Sequence, residues 1–395
     1  MKNVSSINNL EKNVPKLRFP GFEGEWETVK LSDFVERVTR KNTNSQSDLP
    51  LTISSKDGLV DQITYFSKTV ASKDMSGYYL LLNGEFAYNK SYSVGYDYGS
   101  IKRLDRYPMG ALSTLYICFA LKKYDSDFIK IYFDSLKWYR EIYMIAAEGA
   151  RNHGLLNIPT DEFFETRHTL PMNIEEQKKI ASFLTLLDER ISKQRELVES
   201  LKSYKRGVLK HIFNGYSVKL WHTVRLGEIC SITMGQSPDS AFYNFDKKGM
   251  PLVQGNADIT DGITTPQRYT TAPIKTCEAG AVILSVRAPV GSVSRANQKI
   301  CLGRGVCAIT SQNTEFIYQL LIYYQDAWKR IEQGGTFSAI SSDDISSFSF
   351  SIPNIETQNR ISSLLSKYDI NVRREEVILR LLHKQKAGLF HSLFI

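Results

Sequence analysis

Hydrophobic positions repeat with the period of a coiled coil in two segments of the chain. Apolar residues recur in alternating steps of four and three from Ile180 to Ile212, and again from Ile361 to Leu393. Gln194 and Lys205 interrupt the first stripe, and polar residues interrupt the second stripe at the equivalent places. A sustained stripe of this period predicts a long helix that packs against another helix.

Each predicted helix has a recognisable beginning, because Asn173 and Asn354 are suitable N-caps that follow a proline closely. At ~1.5 Å per residue, a helix of about 40 residues is ~60 Å long, and its single apolar face needs a partner helix. The predicted seam consists of Ile180, Leu184, Leu187, Ile191, Val198 and Leu201 in the first helix, and Ile361, Leu365, Tyr368, Val372, Leu379 and Leu382 in the second.

The repetition is larger than the two helices. The sequence WETVKLSDF, which begins at Trp26, recurs as WHTVRLGEI from Trp221. Each repeat is therefore a globular part followed by a long helix, and we expect the helices to pair antiparallel in a pseudo-twofold arrangement. The predicted divisions are an N-terminal segment that closes a quasi-circular arrangement (1–25), a first globular domain (26–170), a first long helix (171–214), a second globular domain (215–352) and a second long helix (353–395).

The two globular parts combine strand-like and helical patterns. Strand-like runs are Tyr78–Tyr88, Ser113–Leu121, Ala281–Val293 and Phe348–Pro353, and helical patterns are Ser126–Ala146 and Thr314–Gln333. The predicted fold class is α/β, with mixed α+β globular domains plus a long antiparallel two-helix coiled coil in a tandem pseudo-twofold repeat. Because the loops differ far more than the element order, we expect one scaffold that carries two different recognition surfaces.

Charge and composition narrow the choice of partners. The 395 residues carry a net charge of +8, and the segments 174–213 and 354–395 contribute +3 each, while 26–173 and 221–353 are balanced. A modest basic excess permits a nucleic-acid partner.

The sequence shows neither a secretory signal nor an apolar run of the ~20 residues that a membrane helix needs, so we expect a cytoplasmic protein without a membrane partner. The five cysteines are expected to be free, with a Cys301–Cys307 pair as the alternative.

Sequence motifs of catalysis are missing. The chain contains no GxxxxGK[ST] phosphate loop, no GxGxxG dinucleotide fingerprint, no Pro-Pro dipeptide of the kind found in amino-methyltransferases, and no His or Cys spacing typical of a metal site. We therefore expect no catalytic residues, no metal and no cofactor on this chain. One run resembles a PD…DxK nuclease motif, with Asp239, Asp246 and Lys248, but its Gly, Ser and Pro neighbours indicate a loop.

Candidate DNA contacts combine cations with aromatic and amide side chains in glycine-containing loops. Lys and Arg supply affinity through phosphates, whereas Arg, Asn and Gln can read base edges. In the first globular part the candidates are Lys90, Tyr92, Tyr96, Lys102, Arg103, Arg151, Asn152 and His153. In the second part they are Gln254, Asn256, Arg268, Arg287, Arg295, Arg304 and Thr336.

Several motifs together resemble a known family. The helix starts at Pro171–Ile180 and Pro353–Ile361, the GTFSAISSDDI loop, GALSTLY and the LRFPGFEGEW opening are similar to the specificity (S) subunit of Type I restriction–modification enzymes, from about Leu17 to the end. The resemblance implies two target recognition domains that each read one half of a bipartite asymmetric site in double-stranded DNA. It further implies a coiled coil that sets their spacing and binds two adenine-methyltransferase subunits.

The same resemblance implies restriction (motor nuclease) subunits as further partners, with S-adenosylmethionine, ATP and Mg²⁺ bound on the partner subunits. Two alternatives stay open from the residues. The repeat could form a structural coiled-coil adaptor without a role in DNA binding, or the chain could be a stand-alone nuclease.

Overall fold

The computed structural model describes residues 13–395 except 69, 147–155, 216–217, 219 and 329–338. The chain divides into two compact units. The first unit comprises Met1–Lys193 and Leu379–Ile395, and the second comprises Gln194–Ile378. Each unit therefore contains one globular part and a portion of both long helices. Within the described ranges, no helix is both long enough and apolar enough to cross a membrane.

The two long helices form where the heptad pattern predicts them. Helix α6 spans Ile174–Asn214 and helix α10 spans Ile355–Leu393. The predicted N-caps are confirmed. The Asn173 carboxamide oxygen accepts hydrogen bonds from the backbone N–H groups two and three residues later, at 2.8 and 3.3 Å. The Asn354 oxygen accepts one from the N–H three residues later, at 2.9 Å. These bonds satisfy amide groups that have no partner within the helix.

Inside the second unit, the portions of α6 and α10 run antiparallel. Gln194 donates to the Glu375 side chain at 2.8 Å, whereas Lys205, further along α6, reaches back to Asp369. The polar interruptions of the apolar stripe thus find polar partners on the facing helix. Most of the predicted seam is buried, namely Ile180, Leu184, Leu187, Ile191, Val198, Ile361, Leu365, Val372 and Leu382, while Leu201, Tyr368 and Leu379 are half-buried.

The globular part of the first unit is a set of small antiparallel sheets covered by short helices. Its strands are β1 (Glu27–Lys30), β2 (Val35–Arg37), β3 (Leu51–Ser54), β4 (Gly58–Asp61), β5 (Tyr79–Leu82), β6 (Phe86–Asn89), β7 (Ser100–Arg103), β8 (Met109–Leu112), β9 (Ile117–Leu121) and β10 (Arg167–Leu170). Its helices are α1 (Leu31–Phe34), α2 (Gln62–Phe66), α3 (Ser126–Asp134), α4 (Tyr139–Ile145) and α5 (Thr160–Glu165). The central sheet has the order β2-β9-β6-β7, and β1-β10, β3-β4 and β5-β8 form pairs.

The helix predicted over Ser126–Ala146 is interrupted in the structure, so this part of the prediction is wrong. Leu136 adopts a left-handed backbone conformation with φ of 61°. The Ser135 hydroxyl donates to the Tyr132 carbonyl at 2.6 Å, and the Trp138 indole donates to the Phe133 carbonyl at 2.8 Å. Side chains therefore satisfy carbonyl groups that a continuous helix would have bonded to its own backbone.

The globular part of the second unit contains two larger sheets. Its strands are β11 (His222–Arg225), β12 (Cys230–Met234), β13 (Tyr243–Asn244), β14 (Met250–Val253), β15 (Ile259–Thr260), β16 (Ile263–Thr264), β17 (Arg268–Thr270), β18 (Thr276–Cys277), β19 (Val282–Ser285), β20 (Val293–Arg295), β21 (Ile300–Leu302), β22 (Val306–Ser311) and β23 (Ser349–Ile352). Its described α-helices include α7 (Leu226–Ile229), α8 (Thr314–Tyr323) and α9 (Ser342–Ser347). Short 3₁₀ helices span Ser240–Phe242 and Asn256–Asp258. The sheet orders are β12-β22-β19-β20-β16-β15 and β13-β17-β14-β21-β18, and β11 pairs with β23.

The duplicated nine-residue sequences form the same local structure in both units. In the first unit, β1 pairs antiparallel with β10, the strand that precedes α6. In the second unit, β11 pairs antiparallel with β23, the strand that precedes α10. Each repeat thus brings the beginning of its globular part next to the strand that leads into its long helix.

The N-terminal segment lies against the end of α10 within the first unit. The Leu17 N–H donates to the Ser392 carbonyl at 2.9 Å, and the Lys16 ammonium lies 3.1 Å from the His391 ring nitrogen. The Arg18 guanidinium forms a two-pronged ion pair with Glu176 on α6, at 2.7 and 2.8 Å. These contacts place residues 16–18 between the end of α10 and the beginning of α6.

Candidate nucleic-acid interface

In the second unit, a pair of parallel strands brings distant polar residues together. Strands β14 and β21 are parallel neighbours, with Val253 opposite Leu302. Because the carboxyl ends of parallel strands meet at one edge of a sheet, the residues that follow them are adjacent. Gln254 and Asn256 follow β14, and Arg304 follows β21. Three of the predicted DNA contacts therefore meet at this edge.

Two glycines allow the segment around Arg304 to lie directly on the backbone after β14. The Gly303 N–H donates to the Val253 carbonyl at 2.7 Å. A Cβ atom on Gly305 would lie 2.1 Å from the Gln254 carbonyl oxygen, and one on Gly303 would lie 2.9 Å from the Gln254 Cα. Neither position could hold a side chain without moving backbone, so the Gly-Arg-Gly sequence is required by this close approach.

These segments surround an open cavity of about 280 Å³ that is basic and rich in amides. It is lined by Ser237, Gln254, Gly255, Asn256, Arg287, Ala288, Arg304 and Gly305. Arg287 and Arg304 are exposed, and no ion pair joins either of them to another described residue. Their charges are therefore available to an anionic ligand, and a concave basic surface concentrates the positive potential.

Arg268 borders this cluster from β17. Its guanidinium donates to the Gln254 side-chain oxygen at 2.9 Å and lies 5.8 Å from the centre of the Phe245 ring. Tyr243 contacts Gln254 from the other side, at 3.1 Å. Tyr243 and Ser237 are not among the candidates that the sequence offers. Tyr243 meets Gln254 because β13, β17 and β14 are neighbours in one sheet. Ser237 reaches this edge through its hydroxyl, which accepts a hydrogen bond from the Arg304 N–H at 3.1 Å.

Arg295 differs from the other arginines of the second unit. It bonds to Glu315 on α8 at 2.9 Å, lies 3.2 Å from Asp369 on α10, and has its guanidinium 3.4 Å from the centre of the Tyr318 ring. Burial alone would lower its pKa, but Tyr318 and the two carboxylates raise the pKa above its ordinary value. The charge of Arg295 is thus compensated within the fold, which favours a structural role.

In the first unit, the two cations on β7 are also paired internally. Lys102 bonds to Asp134 at 2.6 Å and lies 5.5 Å from the centre of the Tyr96 ring. Arg103 bonds to Asp105 at 2.6 Å and to Asp127 at 2.7 Å. These contacts fix β7 against α3 and its surroundings. Lys102 and Arg103 are therefore less available to an anionic ligand than Arg287 and Arg304 in the cavity of the second unit.

The loop between β6 and β7 presents the more accessible candidates of the first unit. Tyr92 is 56% exposed. Lys90 is half-buried, and this burial lowers the pKa of its ammonium group. A Cβ atom on Gly99 would lie 2.0 Å from the Asn89 carbonyl oxygen, so the return of this loop requires glycine. The remaining predicted contacts, Arg151, Asn152, His153 and Thr336, lie outside the described residues.

The residues that resemble a nuclease motif have other roles. Asp239 caps a short 3₁₀ helix by accepting a hydrogen bond from the Ala241 N–H at 2.9 Å. Asp246 and Lys248 form an exposed ion pair at 3.7 Å. Over the described ranges, no group of His, Cys, Asp and Glu side chains could hold a metal ion. All five cysteines are unpaired, and burial raises the pKa of the Cys118 and Cys307 thiols to about 12.

Sequence comparisons identify the part of the chain that carries this cavity. Residues 218–382 match the family model described as the Type I restriction modification DNA specificity domain. A protein of Methanocaldococcus jannaschii, provisionally named the MjaX type I restriction enzyme specificity subunit, is 27% identical over an alignment of 400 positions. The alignment covers 93% of this chain and 92% of that protein.

Two solved structures have a similar fold. A chain from a study of complex assembly and conformational transition in the type I R-M system is 24% identical, with a TM-score of 0.60 and coverage of 95% of this chain and 98% of that chain. The Type-I restriction-modification system S subunit from M. genitalium is 18% identical, with a TM-score of 0.61 and coverage of 96% and 99%. These likenesses confirm the predicted fold class of mixed globular domains with long helices in a tandem repeat.

Proposed function

We propose that this chain, whose resemblance to the Type I restriction–modification specificity subunits is confirmed in sequence and fold, is the DNA-recognition subunit of such a system. The observation that carries the proposal is the basic, amide-lined cavity of the second unit, which lies within the matched DNA specificity domain. Arginine recognises guanine, and Asn and Gln recognise adenine, through paired hydrogen bonds in the major groove. The cavity collects these side chains on a fixed backbone.

In this proposal each globular part reads one half of a bipartite, asymmetric site in double-stranded DNA. The loops of the two parts differ in sequence, so the two half-sites differ as well. The long helices set the spacing between the half-sites, since a helix of ~60 Å exceeds the ~34–36 Å of one DNA turn. The predicted domain divisions at 26–170, 171–214, 215–352 and 353–395 describe these roles.

The chain acts without a catalytic site of its own. Two adenine-methyltransferase subunits bind it, and restriction subunits complete the complex, with S-adenosylmethionine, ATP and Mg²⁺ on those partners. What supports this division of labour is the absence of catalytic sequence motifs, together with the family match.

The test compares two variants that each remove one positive charge from the second unit. Arg304 lines the cavity, whereas Lys299 forms an exposed ion pair with Glu278. The complex is reconstituted with methyltransferase subunits, and the methylated adenines are mapped across random-sequence DNA. Arg304→Ala should reduce methylation of the preferred site about 10- to 100-fold and change the base preference in one half-site only, because a base contact is worth ~1–3 kcal/mol.

Lys299→Ala should leave the recognised sequence unchanged. If the wild-type complex methylates DNA without sequence preference, or if the chain with its methyltransferase shows no salt-dependent DNA binding, the proposal is wrong and a structural adaptor is the better reading.

A further inference from the structure

We infer that Gln254 reads adenine in the half-site of the second unit, and that Tyr243 and Arg268 hold its amide in the orientation that this reading requires. The inference rests on the proposed function and deepens it. It assigns one residue to one base and explains how neighbouring side chains make that assignment selective.

The backbone of Gln254 is fixed from both sides. Its N–H donates to the Asp258 carboxylate at 2.7 Å. Its carbonyl oxygen lies so close to Gly305 that a methyl group there would come within 2.1 Å of it. Because the main chain cannot shift, the position of the side chain depends on its own hydrogen bonds.

Those hydrogen bonds also determine which atom of the Gln254 carboxamide is the oxygen and which is the nitrogen. The Arg268 guanidinium has donors only, so the atom that faces it at 2.9 Å is the carboxamide oxygen. The Tyr243 hydroxyl donates its single hydrogen to the Pro238 carbonyl at 3.0 Å, so it accepts from the Gln254 NH₂ group at 3.1 Å. The relay Arg268–Gln254–Tyr243–Pro238 therefore has one consistent direction, and a flipped amide would face donor with donor at Arg268.

The held amide keeps half of its hydrogen-bonding capacity. A carboxamide oxygen has two lone pairs and an NH₂ group has two hydrogens, and the relay uses one of each. One acceptor and one donor remain side by side on a residue that lines the cavity. Adenine presents the complementary pair in the major groove, an N6 donor beside an N7 acceptor.

The other purine fits this edge poorly. Guanine presents two acceptors, O6 and N7, so the Gln254 oxygen would face an acceptor. If the Gln254 amide could rotate freely, it could present either a donor or an acceptor to a base and would discriminate less between adenine and guanine. Ordering the amide on DNA binding would also cost entropy. Tyr243 and Arg268 are thus positioning residues, and Gln254 is the residue that touches the base.

The experiment measures base preference at every position of the site, from methylation of random-sequence DNA by the complex reconstituted with its methyltransferase subunits. Gln254→Ala should lose the preference for adenine at one position of one half-site, about 10- to 100-fold. Gln254→Glu keeps an acceptor for Arg268 but has no donor, so its preference at that position should move from adenine toward cytosine, whose N4 group donates.

Tyr243→Phe removes the hydroxyl and keeps the ring. It should weaken the same adenine preference about tenfold, while the preference in the other half-site and the thermal unfolding of the DNA-free chain stay unchanged. A uniform loss of methylation with the preference intact in all three variants would overturn the inference, because it would make Gln254 a structural or phosphate-contacting residue. If the wild-type complex methylates DNA without any base preference, the proposed function itself is refuted.

Discussion

The duplicated chain offers a matched pair of aspartates whose surroundings differ. Asp188 on α6 and Asp369 on α10 occupy equivalent positions in the two repeats, and each accepts a hydrogen bond from a lysine on the facing helix at 2.5 Å. We predict that Asp369→Asn destabilises the protein much more than Asp188→Asn. The same chemical change at equivalent positions then reports the effect of environment alone.

The two carboxylates differ in burial and in the number of their partners. The Asp369 side chain is 16% exposed and also accepts from Gln319 at 2.7 Å and from Arg295 at 3.2 Å. Burial alone would raise its pKa, but Lys205, Gln319 and Arg295 hold the pKa below its ordinary value. The Asp188 side chain is 45% exposed, and its ion pair is with Lys386.

The magnitudes follow from this difference. Removing one partner of a buried ion pair costs about 3–5 kcal/mol, since the other charge stays buried without compensation. The Lys205 side chain is only 11% exposed, so it cannot recover this loss in water. Asparagine keeps one acceptor and Arg295 keeps Glu315, which reduces the expected cost of Asp369→Asn to about 2–4 kcal/mol. The exposed pair of Asp188 is worth about 0–1 kcal/mol.

Native-state hydrogen exchange read by mass spectrometry can localise the effect, because it reports opening segment by segment. Asp369→Asn should speed exchange in β20 and α8, which the carboxylate links to the paired helices, and should leave α3 in the first unit unchanged. Asp188→Asn should change neither α8 nor β20. Equal losses of stability in the two variants would show that burial and the additional partners of Asp369 do not decide its contribution.

Two further predictions concern one residue in each unit. His168 is 2% exposed, and burial lowers its pKa to about 3. Between about pH 3 and pH ~6.5, the unfolded chain therefore binds a proton at His168 that the folded chain does not bind. Below pH ~6.5, the free energy of unfolding measured in urea should therefore fall by about 1.4 kcal/mol per pH unit. His168→Gln should remove this contribution to the pH dependence. An unchanged pH dependence in the variant would show that His168 does not cause it. Gly305→Ala should lower the free energy of unfolding by about 2 kcal/mol or more, because its Cβ would meet a backbone oxygen at 2.1 Å. Gly255→Ala is the control, since its Cβ would enter open space and its φ of 176° is ordinary extended backbone, so a similar loss in both variants would refute the packing argument.

The long helices could be predicted because their information is local. A repeat of four and three places the seam, and an asparagine at each start supplies the cap. The break at Leu136 could not be predicted in this way. It depends on Ser135 and Trp138 taking carbonyl groups from the preceding turn, whereas the apolar period by itself favours a continuous helix.

The sequence predicts which types of residue form the candidate site. It does not predict which of the candidate cations remain free of an acidic partner in the folded chain. In the sequence, Lys102, Arg103 and Arg295 do not differ from the other candidate cations. Asp105 lies only two positions after Arg103. The other acidic partners come from other elements, up to 74 positions away in the case of Arg295 and Asp369. Only the folded chain distinguishes a cation that is compensated internally from one that is available to a phosphate or a base.

The same distinction separates the two units in how they would bind DNA. On β7 of the first unit, Lys102 and Arg103 already have carboxylate partners, so binding a phosphate there would require breaking an existing ion pair. In the second unit, Arg287 and Arg304 have no such partner among the described residues and need no rearrangement. Each phosphate contact adds ~0.9 to the slope of log affinity against log salt concentration. We therefore expect the Arg287 and Arg304 contacts to make DNA binding more salt-dependent than the Lys102 and Arg103 contacts do. In the first unit, we expect exposed loop residues such as Tyr92 to contribute relatively more to DNA binding.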